Sequence, residues 1–570
     1  MIINSIDLKK YFLDKFRIAL YFFIPFLLLF LFTHKGNEIR ALKCIACTMF
    51  FTVIFSFLVE QKKEIYMPLI CGLLFYVGSA GTFTLYTETL NVNWREIQYE
   101  LFFSESLVCI LITLSKFRNL NFLLIAIEFC VLLVAIVQIT YYVYFGVSVN
   151  SDTFFIIMQT NYNEVIRLLF DNKLLVLIIV LLVLGLLYLL TKYNIVHVYN
   201  EYNLRSKCYF FGIILLCILL NWIMVFKDGH LYLHRDFNLA YGYFLQVQKL
   251  RLHHNNLNVI TSNDNIRNVV VIIGESANRD YMGVYGYQRN NTPWMSKMNL
   301  SSNTILFDKV YSSYRMTNKS LAYFLTESSQ YNDKEVYNSL NLIDVLNASG
   351  YDTYWISNQG NISNYREVYN VIAQKSKHIS FIEKGNELDE ALIDLIDIPV
   401  DDKKKAIFIH LGGSHHPYLM FSNKFKVYPN DDVNDRYDNT ILYTDYVLSA
   451  IFQKLKKNNI DLFIYTSDHG ESKEMLRTKF DFKMEHIPFF IYCSDDFIKT
   501  NSHKYISMVN KKNTYFTTDM FYDTLLQLLE VDKKFYLENQ SLFSDKYNFN
   551  KNNLKTEYGT ILIKDDPYDR

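Results

Sequence analysis

The chain has 570 residues with 57 basic and 57 acidic side chains, so its formal net charge is zero. This balance gives no reason to expect a nucleic-acid partner. Up to about Phe226 the sequence is apolar and aromatic, and after that it has the composition of a soluble protein. Of the eight cysteines, only Cys493 lies in the second part, which excludes an intramolecular disulfide framework there.

Long apolar runs in the first part approach the ~20 residues that a helix needs to cross hydrocarbon. Five of them are strong: 17–32, 41–59, 121–145, 173–190 and 209–226. Two weaker runs, 67–86 and 101–114, would add a hairpin. We therefore predict a transmembrane domain over residues 1–227 with five spans, or seven if the weaker pair inserts.

Either number puts the N-terminus and the C-terminal part on opposite sides of the membrane. The basic clusters then fall on the cytoplasmic side, as the positive-inside rule requires. The C-terminal part would face the periplasm or the outside. Residues 146–172 are predicted to form an extracytoplasmic helix, and 228–265 a linker with a helix on the membrane surface. Plain connecting helices remain an alternative for both segments.

Residues 266–570 alternate between strand-like and helix-like segments. The predicted strands are 269–273, 304–307, 353–356, 406–410, 461–466 and 488–492. The predicted helices are 318–326, 339–348, 386–397, 437–457 and 517–529. Such alternation predicts an α/β sandwich around a mainly parallel sheet. The five apolar residues of 269–273 indicate a strand covered on both faces.

Acidic and imidazole side chains follow three of these strands. Glu275 follows the strand 269–273, and Asp468 and His469 follow the strand 461–466. His410 ends the strand 406–410, and His415 and His416 come shortly after it. Ligands bind outside the carboxyl ends of parallel strands, where these residues would meet. Glu, Asp and His together suit a zinc-like divalent ion. A single strand end of this kind would be interpreted as a solvated loop. Three such strand ends together favour a functional site.

A nucleophile is predicted in 311–320, between a strand and a helix. Thr317 or Ser320 could simply cap that helix, which is what hydroxyls at a helix N-terminus usually do. A hydroxyl bound to a metal is deprotonated more readily, and a helix N-terminus stabilises incoming phosphate. The residues alone leave both interpretations open.

The motifs together resemble those of the phosphoethanolamine transferases, membrane enzymes of the alkaline phosphatase/sulfatase superfamily that modify lipopolysaccharide. The first is Gly274-Glu275-Ser276-Ala277-Asn278-Arg279-Asp280, followed by Tyr285-Gly286-Tyr287-Gln288-Arg289 and Thr292-Pro293. The others are Thr317-x-x-Ser320, the segment from His410 to His415, Tyr443-Thr444-Asp445, and Ser467-Asp468-His469-Gly470-Glu471. The resemblance covers nearly the whole chain. It implies a multi-span α-helical membrane domain followed by an α/β sandwich domain of alkaline phosphatase/sulfatase type.

The resemblance also implies roles for individual residues. The ligands of one zinc ion, or of the first of two, would be Glu275, Thr317, Asp468 and His469, with Thr317 as the nucleophile. His415 would contact the phosphoryl group or a second zinc. Further substrate contacts would come from Thr160 and Glu164, which match residues that hold the ethanolamine head, and more loosely from Asn358 and Gln359. His410, His416 and His486 are weaker candidates, and a structural role is favoured for His486.

Some positions depart from the family pattern. Ile156 stands where the family often has Asn, and no Cys flanks Thr317, although the lipid A-modifying branch often has disulfides there. Asp481 stands near the sequence position at which the lipid A branch has a further histidine. These departures favour the branch that acts on core sugars over the lipid A branch.

The resemblance implies an inner-membrane monomer with a periplasmic catalytic domain. It would transfer phosphoethanolamine from phosphatidylethanolamine to lipopolysaccharide through a covalent threonine intermediate. Three alternatives remain: a sulfatase or phosphodiesterase, a glycerol-phosphate transferase that uses phosphatidylglycerol, and a non-catalytic membrane sensor. Sulfatases need a C/S-x-P-x-R motif, which the sequence lacks.

Overall fold

The computed structural model describes residues 5–33, 38–59, 66–81, 94–145, 148–151, 153–154, 173–197, 204–228, 231–252, 257, 266–359, 367–382, 388–416, 418–430, 432–473 and 480–569. The chain divides into two compact units, Met1–Tyr243 and Phe244–Arg570. Thr160 and Glu164 lie outside the described residues, as does most of the predicted helix 146–172.

The first unit consists of apolar helices. Its long helices are Ser5–Thr33, Glu38–Leu58, Trp94–Leu114, Asn121–Phe145, Lys173–His197 and Leu204–Asp228, with a shorter one at Tyr66–Tyr76. Among the described residues, three segments are long and apolar enough to cross a membrane: Ile97–Leu114, Arg118–Val143 and Arg205–Trp222. The weaker predicted run 101–114 falls within the first of these. The number of spans, five or seven, stays a prediction.

The outer surface of these helices is apolar. Phe122 is 86% exposed and Val143 77% exposed, and Leu184 and Trp222 are exposed as well. Continuous apolar surface of this kind is stable only against lipid or another apolar partner. The predicted surface segment is helical, within Tyr232–Leu252. Its position on the membrane stays a prediction.

A seven-stranded sheet forms the centre of the second unit. Its strands are β1 (Asn268–Gly274), β2 (Thr304–Phe307), β4 (Asp352–Ser357), β5 (His378–Phe381), β6 (Lys405–His410), β7 (Leu462–Ser467) and β8 (Phe489–Cys493). Their order is β2-β8-β7-β1-β6-β4-β5. Strands β7, β1, β6, β4 and β5 are parallel to one another, and β8 is antiparallel to its neighbours β7 and β2. The predicted mainly parallel sheet is confirmed, and β5 is an additional strand.

Strand β1 lies in the middle of the parallel part, which explains its composition. Val270 and Ile272 belong to a hydrophobic core that includes Tyr437 and Ile441 of the helix Val433–Leu455. Val271 and the other residues that point to the opposite face are buried as well. Both faces of β1 are therefore covered, and β-branched side chains fill this position because they pack well on a pleated surface.

The five predicted helices are all present, with shifted ends. They are Thr317–Phe324, Leu342–Ala348, Ala391–Leu395, Val433–Leu455 and Phe521–Leu528. Two small pairings lie apart from the main sheet: β3 (Val310–Tyr311) with β9 (Phe516–Thr517), and β10 (Lys555–Thr556) with β11 (Ile561–Leu562). Strand β3 leads directly into the loop before Thr317.

Candidate metal and nucleophile site

The sheet register brings three strand ends together. Gly274 of β1 pairs with Ser467 of β7, and Ile273 pairs with His410 of β6. Glu275 and Asp468 are the next residues on their strands, so they leave the sheet side by side. This arrangement is the one expected for functional residues at the carboxyl ends of parallel strands.

Glu275, Asp468 and His469 form a buried cluster whose ligand atoms all lie within 4.8 Å of one another. His469 Nε2 lies 3.5 Å from Glu275 Oε1 and 3.4 Å from Asp468 Oδ2. Ligand atoms around a tetrahedral ion with bonds near 2.1 Å are about 3.4 Å apart. The cluster therefore has the spacing of a metal site as well as its ligand types.

The hydrogen bonds around the cluster leave its ligand atoms facing inward. His469 Nδ1 donates to the carbonyl of Gly470 at 2.7 Å, which puts the lone pair on Nε2. Asp468 Oδ1 accepts from the backbone N–H groups of Ser276 at 3.0 Å and His469 at 2.7 Å. Within the described residues, Asp468 Oδ2 is buried and accepts no hydrogen bond. A metal ion would supply the partner that this oxygen lacks.

Burial, reinforced by the negative charge of Glu275, raises the pKa of Asp468 well above its usual range. Two carboxylates held this close disfavour ionisation of both unless a cation lies between them. The residues present thus fit a divalent cation on their chemistry and on their spacing.

From its position in the sequence, Ser276 is expected only to shape the turn. In the structure it also contacts Glu275. Its φ of 59° is left-handed, and its hydroxyl donates to Glu275 Oε1 in a short hydrogen bond. Its carbonyl accepts from the Tyr437 hydroxyl at 2.8 Å. Ser276 therefore orients Glu275, a role for which the Gly-Glu-Ser tripeptide gives no signal without the fold.

Thr317 is the first residue of the helix Thr317–Phe324, and its side chain does not cap that helix. Its hydroxyl donates to Glu275 Oε2 at 3.1 Å and lies 3.4 Å from His469 Nε2. Ser320 donates to the carbonyl of Asp468 at 2.5 Å. The structure therefore brings Thr317 into the cluster and gives Ser320 a supporting position behind it.

Gln359 joins the cluster, and Asn358 supports a loop beside it. Gln359 Nε2 donates to Glu275 Oε2 at 3.1 Å. Asn358 Nδ2 donates to Asp389 Oδ1 at 2.8 Å. Asp389 also accepts from the N–H groups of Gly412 and Gly413. Asn358 thus holds the loop after β6, and Gln359 orients a carboxylate of the cluster.

Gly413 is required where that loop passes Glu275. Its φ is +50°, and a Cβ there would lie 2.8 Å from the carbonyl oxygen of Glu275. We expect Gly413→Ala to lower the free energy of unfolding by about 2–4 kcal/mol, from left-handed strain and overlap together. Gly286→Ala is the control, because its φ is +95° and its Cβ would meet nothing within 4 Å. Urea denaturation measures the free energy of unfolding of both variants. Equal losses would contradict the predicted overlap with Glu275.

The three histidines near β6 differ in their surroundings. His410 is buried, and burial lowers its pKa to about 4, so the ring is neutral at physiological pH. His415 and His416 are exposed, and His415 Nδ1 donates to the carbonyl of His416 at 2.7 Å. None of the three belongs to the described metal cluster. Substrate contacts by His415 and His416 stay predictions.

His486 and Asp481 have structural positions. His486 is buried between two carboxylates, with Nδ1 2.6 Å from Asp280 Oδ2 and Nε2 2.7 Å from Asp566 Oδ2. Asp481 accepts from the Ser472 hydroxyl at 2.8 Å and caps a short turn. Both ring nitrogens of His486 are engaged, which agrees with the structural interpretation and not with a substrate contact.

The Tyr-Thr-Asp motif also has a structural reason. Asp445 accepts hydrogen bonds from the N–H groups of Trp294 at 2.7 Å and Met295 at 2.9 Å. These groups begin the helix Pro293–Met298 that follows the Thr-Pro motif. The carboxylate of the Tyr-Thr-Asp motif therefore binds the N-terminus of the helix that begins in the Thr-Pro motif, 150 residues away in sequence.

Residues 267–531 match the family described as Sulfatase. Phosphoethanolamine transferase OpgE of Escherichia coli (strain K12) is 28% identical over 265 residues, which cover 43% of this chain and 48% of the relative. The matches span about half the length of the first curated relatives.

Two solved structures share the fold. The integral membrane protein lipooligosaccharide phosphoethanolamine transferase A (EptA) from Neisseria meningitidis aligns with a TM-score of 0.58 at 18% identity, over 84% of this chain and 96% of that one. The C-terminal periplasmic domain of EcEptC from Escherichia coli, in complex with Zn, aligns with a TM-score of 0.50 at 20% identity, over 55% and 98%.

The fold and the family match define the class of protein: apolar helices followed by an α/β domain of sulfatase type. Within that class, the chain is similar to phosphoethanolamine transferases.

Proposed function

We propose that this protein transfers phosphoethanolamine from phosphatidylethanolamine to a hydroxyl of lipopolysaccharide, on a core sugar in preference to lipid A. The observation that carries the proposal is the position of the Thr317 hydroxyl, within hydrogen-bonding distance of Glu275 and His469 at the end of a parallel sheet. The names of the relatives to which the chain is similar support phosphoethanolamine as the transferred group.

The proposed metal is zinc, one ion or two. Glu275, Thr317, Asp468 and His469 would hold the first ion, and the relative solved as a Zn complex supports that identity. When bound, zinc would lower the pKa of the threonine hydroxyl and offset negative charge that develops on phosphorus oxygens. Ser276 and Gln359 keep the Glu275 carboxylate in place for this role.

The reaction proceeds in two displacements. Thr317 Oγ1 attacks the phosphorus of the donor; the Oγ1–P bond forms, the bond from phosphorus to diacylglycerol oxygen breaks, and the threonine proton passes to that leaving oxygen. A sugar hydroxyl then attacks the same phosphorus, the Oγ1–P bond breaks, and the sugar proton returns to Thr317. Two in-line displacements predict retention of configuration at phosphorus.

The location follows from the substrates. Both donor and acceptor are amphiphiles of a bacterial envelope, so we propose an inner-membrane, multi-pass monomer with its catalytic domain in the periplasm. The apolar helices support this arrangement, and so does the similarity of the second unit to the periplasmic domain of EcEptC. The lack of cysteine near Thr317 supports the core-sugar branch.

Labelled donors test the reaction. Purified protein in vesicles receives headgroup-labelled phosphatidylethanolamine or phosphatidylglycerol, together with lipopolysaccharide. We expect label in lipopolysaccharide from the first donor only, and fragment mass spectrometry should locate it on a core sugar. Transfer from phosphatidylglycerol would instead favour the glycerol-phosphate alternative, and release of the labelled headgroup into water would favour a hydrolase.

A further inference from the structure

The loop that leads to Thr317 is held from outside the sheet by the C-terminal end of the chain. Residues 555–562 form the β10–β11 hairpin. The Thr556 hydroxyl donates to the carbonyl of Ser312 at 2.9 Å, and the Tyr558 N–H donates to the carbonyl of Ser313 at 3.3 Å. Two successive peptide groups of the loop are therefore fixed by the hairpin.

The strongest contact joins Glu557 to Arg315, two residues before the nucleophile. Glu557 Oε1 accepts from the Arg315 backbone N–H at 3.3 Å, and Glu557 Oε2 forms a short ion pair with Arg315 Nη1. Arg315 is 8% exposed and Glu557 9% exposed. A charge-assisted contact that is shielded from water restricts the backbone far more than a surface ion pair does.

A second carboxyl group completes this cluster. Glu485 is fully buried beside Glu557, and its backbone carbonyl accepts from the N–H of Ser312 at 2.8 Å. Burial, and then the charge of Glu557, raise the pKa of Glu485 well above its usual range. Burial therefore favours the protonated form of Glu485, which avoids a second buried negative charge beside the Glu557–Arg315 pair.

The turn of the hairpin is strained in a way that fits a positioning role. Glu557 and Tyr558 have φ values of 48° and 51°, and Gly559 follows with 82°. Left-handed backbone at non-glycine residues persists only where the surroundings enforce it. Here the turn directs Glu557 to Arg315 and stacks Tyr558 on Tyr323 of the nucleophile helix, with ring centroids 4.6 Å apart.

The rest of the C-terminal segment is anchored independently. Asp566 accepts from the Tyr311 hydroxyl at 2.9 Å and pairs with His486. Asp569 pairs with Lys309 at 2.6 Å and Lys551 at 2.5 Å. The segment that follows the hairpin is thus anchored by contacts of its own, outside residues 312–316.

We propose that the C-terminal hairpin, acting through the Glu557–Arg315 pair, is the device that positions Thr317 for attack, and that Glu557 is a positioning residue of the proposed transferase reaction. The inference rests on the proposed function, since it assigns Thr317 as the attacking group.

The central test is Glu557→Gln, which keeps the shape of the side chain and removes its charge. We expect kcat for labelled phosphoethanolamine transfer to fall about 10- to 100-fold, while KM for the donor and the bound metal content stay within twofold of the wild type. Glu557→Asp should recover part of kcat. Glu538→Gln is the matched control, because Glu538 pairs with Lys533 and Lys546 at the surface. Unchanged kcat in Glu557→Gln would overturn the proposal.

Hydrogen exchange separates this proposal from the proposed function. Faster amide exchange over residues 312–320 in Glu557→Gln, but not in Glu538→Gln, is expected even if the wild type transfers nothing. Unchanged exchange in that loop would overturn the positioning role, whatever the substrate. If Glu557→Gln does not fold, Arg315→Gln/Glu557→Gln removes both charges and receives the same two measurements.

Discussion

Replacing Thr317 by alanine is expected to lower the rate of phosphoethanolamine transfer by at least about a thousandfold, because the variant lacks the oxygen that attacks phosphorus. Thr317 Oγ1 is the group that donates to Glu275 Oε2 at 3.1 Å, and the helix that begins at Thr317 fixes its direction. The three other proposed ligands are unchanged in this variant, so part of the metal affinity should remain.

Two variants control this experiment. Thr326→Ala removes a buried hydroxyl that only donates to the carbonyl of Ala322 at 2.7 Å, so transfer should continue. Thr317→Ser keeps an attacking oxygen and should retain measurable activity. Mass spectrometry of lipopolysaccharide from a strain that lacks the gene, complemented with each variant, gives the readout. Continued phosphoethanolamine addition by Thr317→Ala would rule out Thr317 as the nucleophile.

Removing the metal is expected to destabilise the catalytic domain in a pH-dependent way. Without a cation, burial and the neighbouring Glu275 raise the pKa of Asp468 above its value in the unfolded chain. The folded state then binds a proton that the unfolded state releases, so stability is greatest at low pH. It is lost as the pH rises from about 4 through the raised pKa of Asp468.

A bound divalent ion removes this penalty and adds the free energy of binding, about 2.7 kcal/mol at a hundredfold excess over Kd. We therefore expect chelator to lower Tm more at pH 8 than at pH 5, and Zn²⁺ to restore it. Asp468→Asn is the control: its chelated form should show a smaller fall in Tm between those pH values. Equal effects of chelator at both pH values would contradict the proposed metal cluster.

Much of the catalytic domain could be predicted from local patterns. The five apolar residues after Asn268 indicate a strand that is covered on both faces, and β1 is that strand. Glu275, Asp468 and His469 could be identified because parallel strands end at one edge, so that residues far apart in sequence converge there. Strand β5 was missed since His378–Phe381 is short and only partly buried.

Other features depend on contacts between distant segments, which composition and spacing do not encode. Ser276 and Gln359 act on Glu275 only because the loops after β1 and β4 meet beside it. The Glu557–Arg315 pair joins residues 242 positions apart, and nothing near either one in sequence predicts the other.

The division into an apolar helical part and an α/β domain can be predicted from the sequence alone, and so can the residue types that cluster at the strand ends. Periodicity and strand-end chemistry are local properties, which is why they can be recognised without coordinates. Which hydroxyl joins the cluster, and which histidines lie outside it, depends on how the loops pack around the strand ends. Between Thr317 and Ser320, three residues apart on one helix, only packing against β1 and β7 distinguishes a group that points at Glu275 from one that donates to a backbone carbonyl.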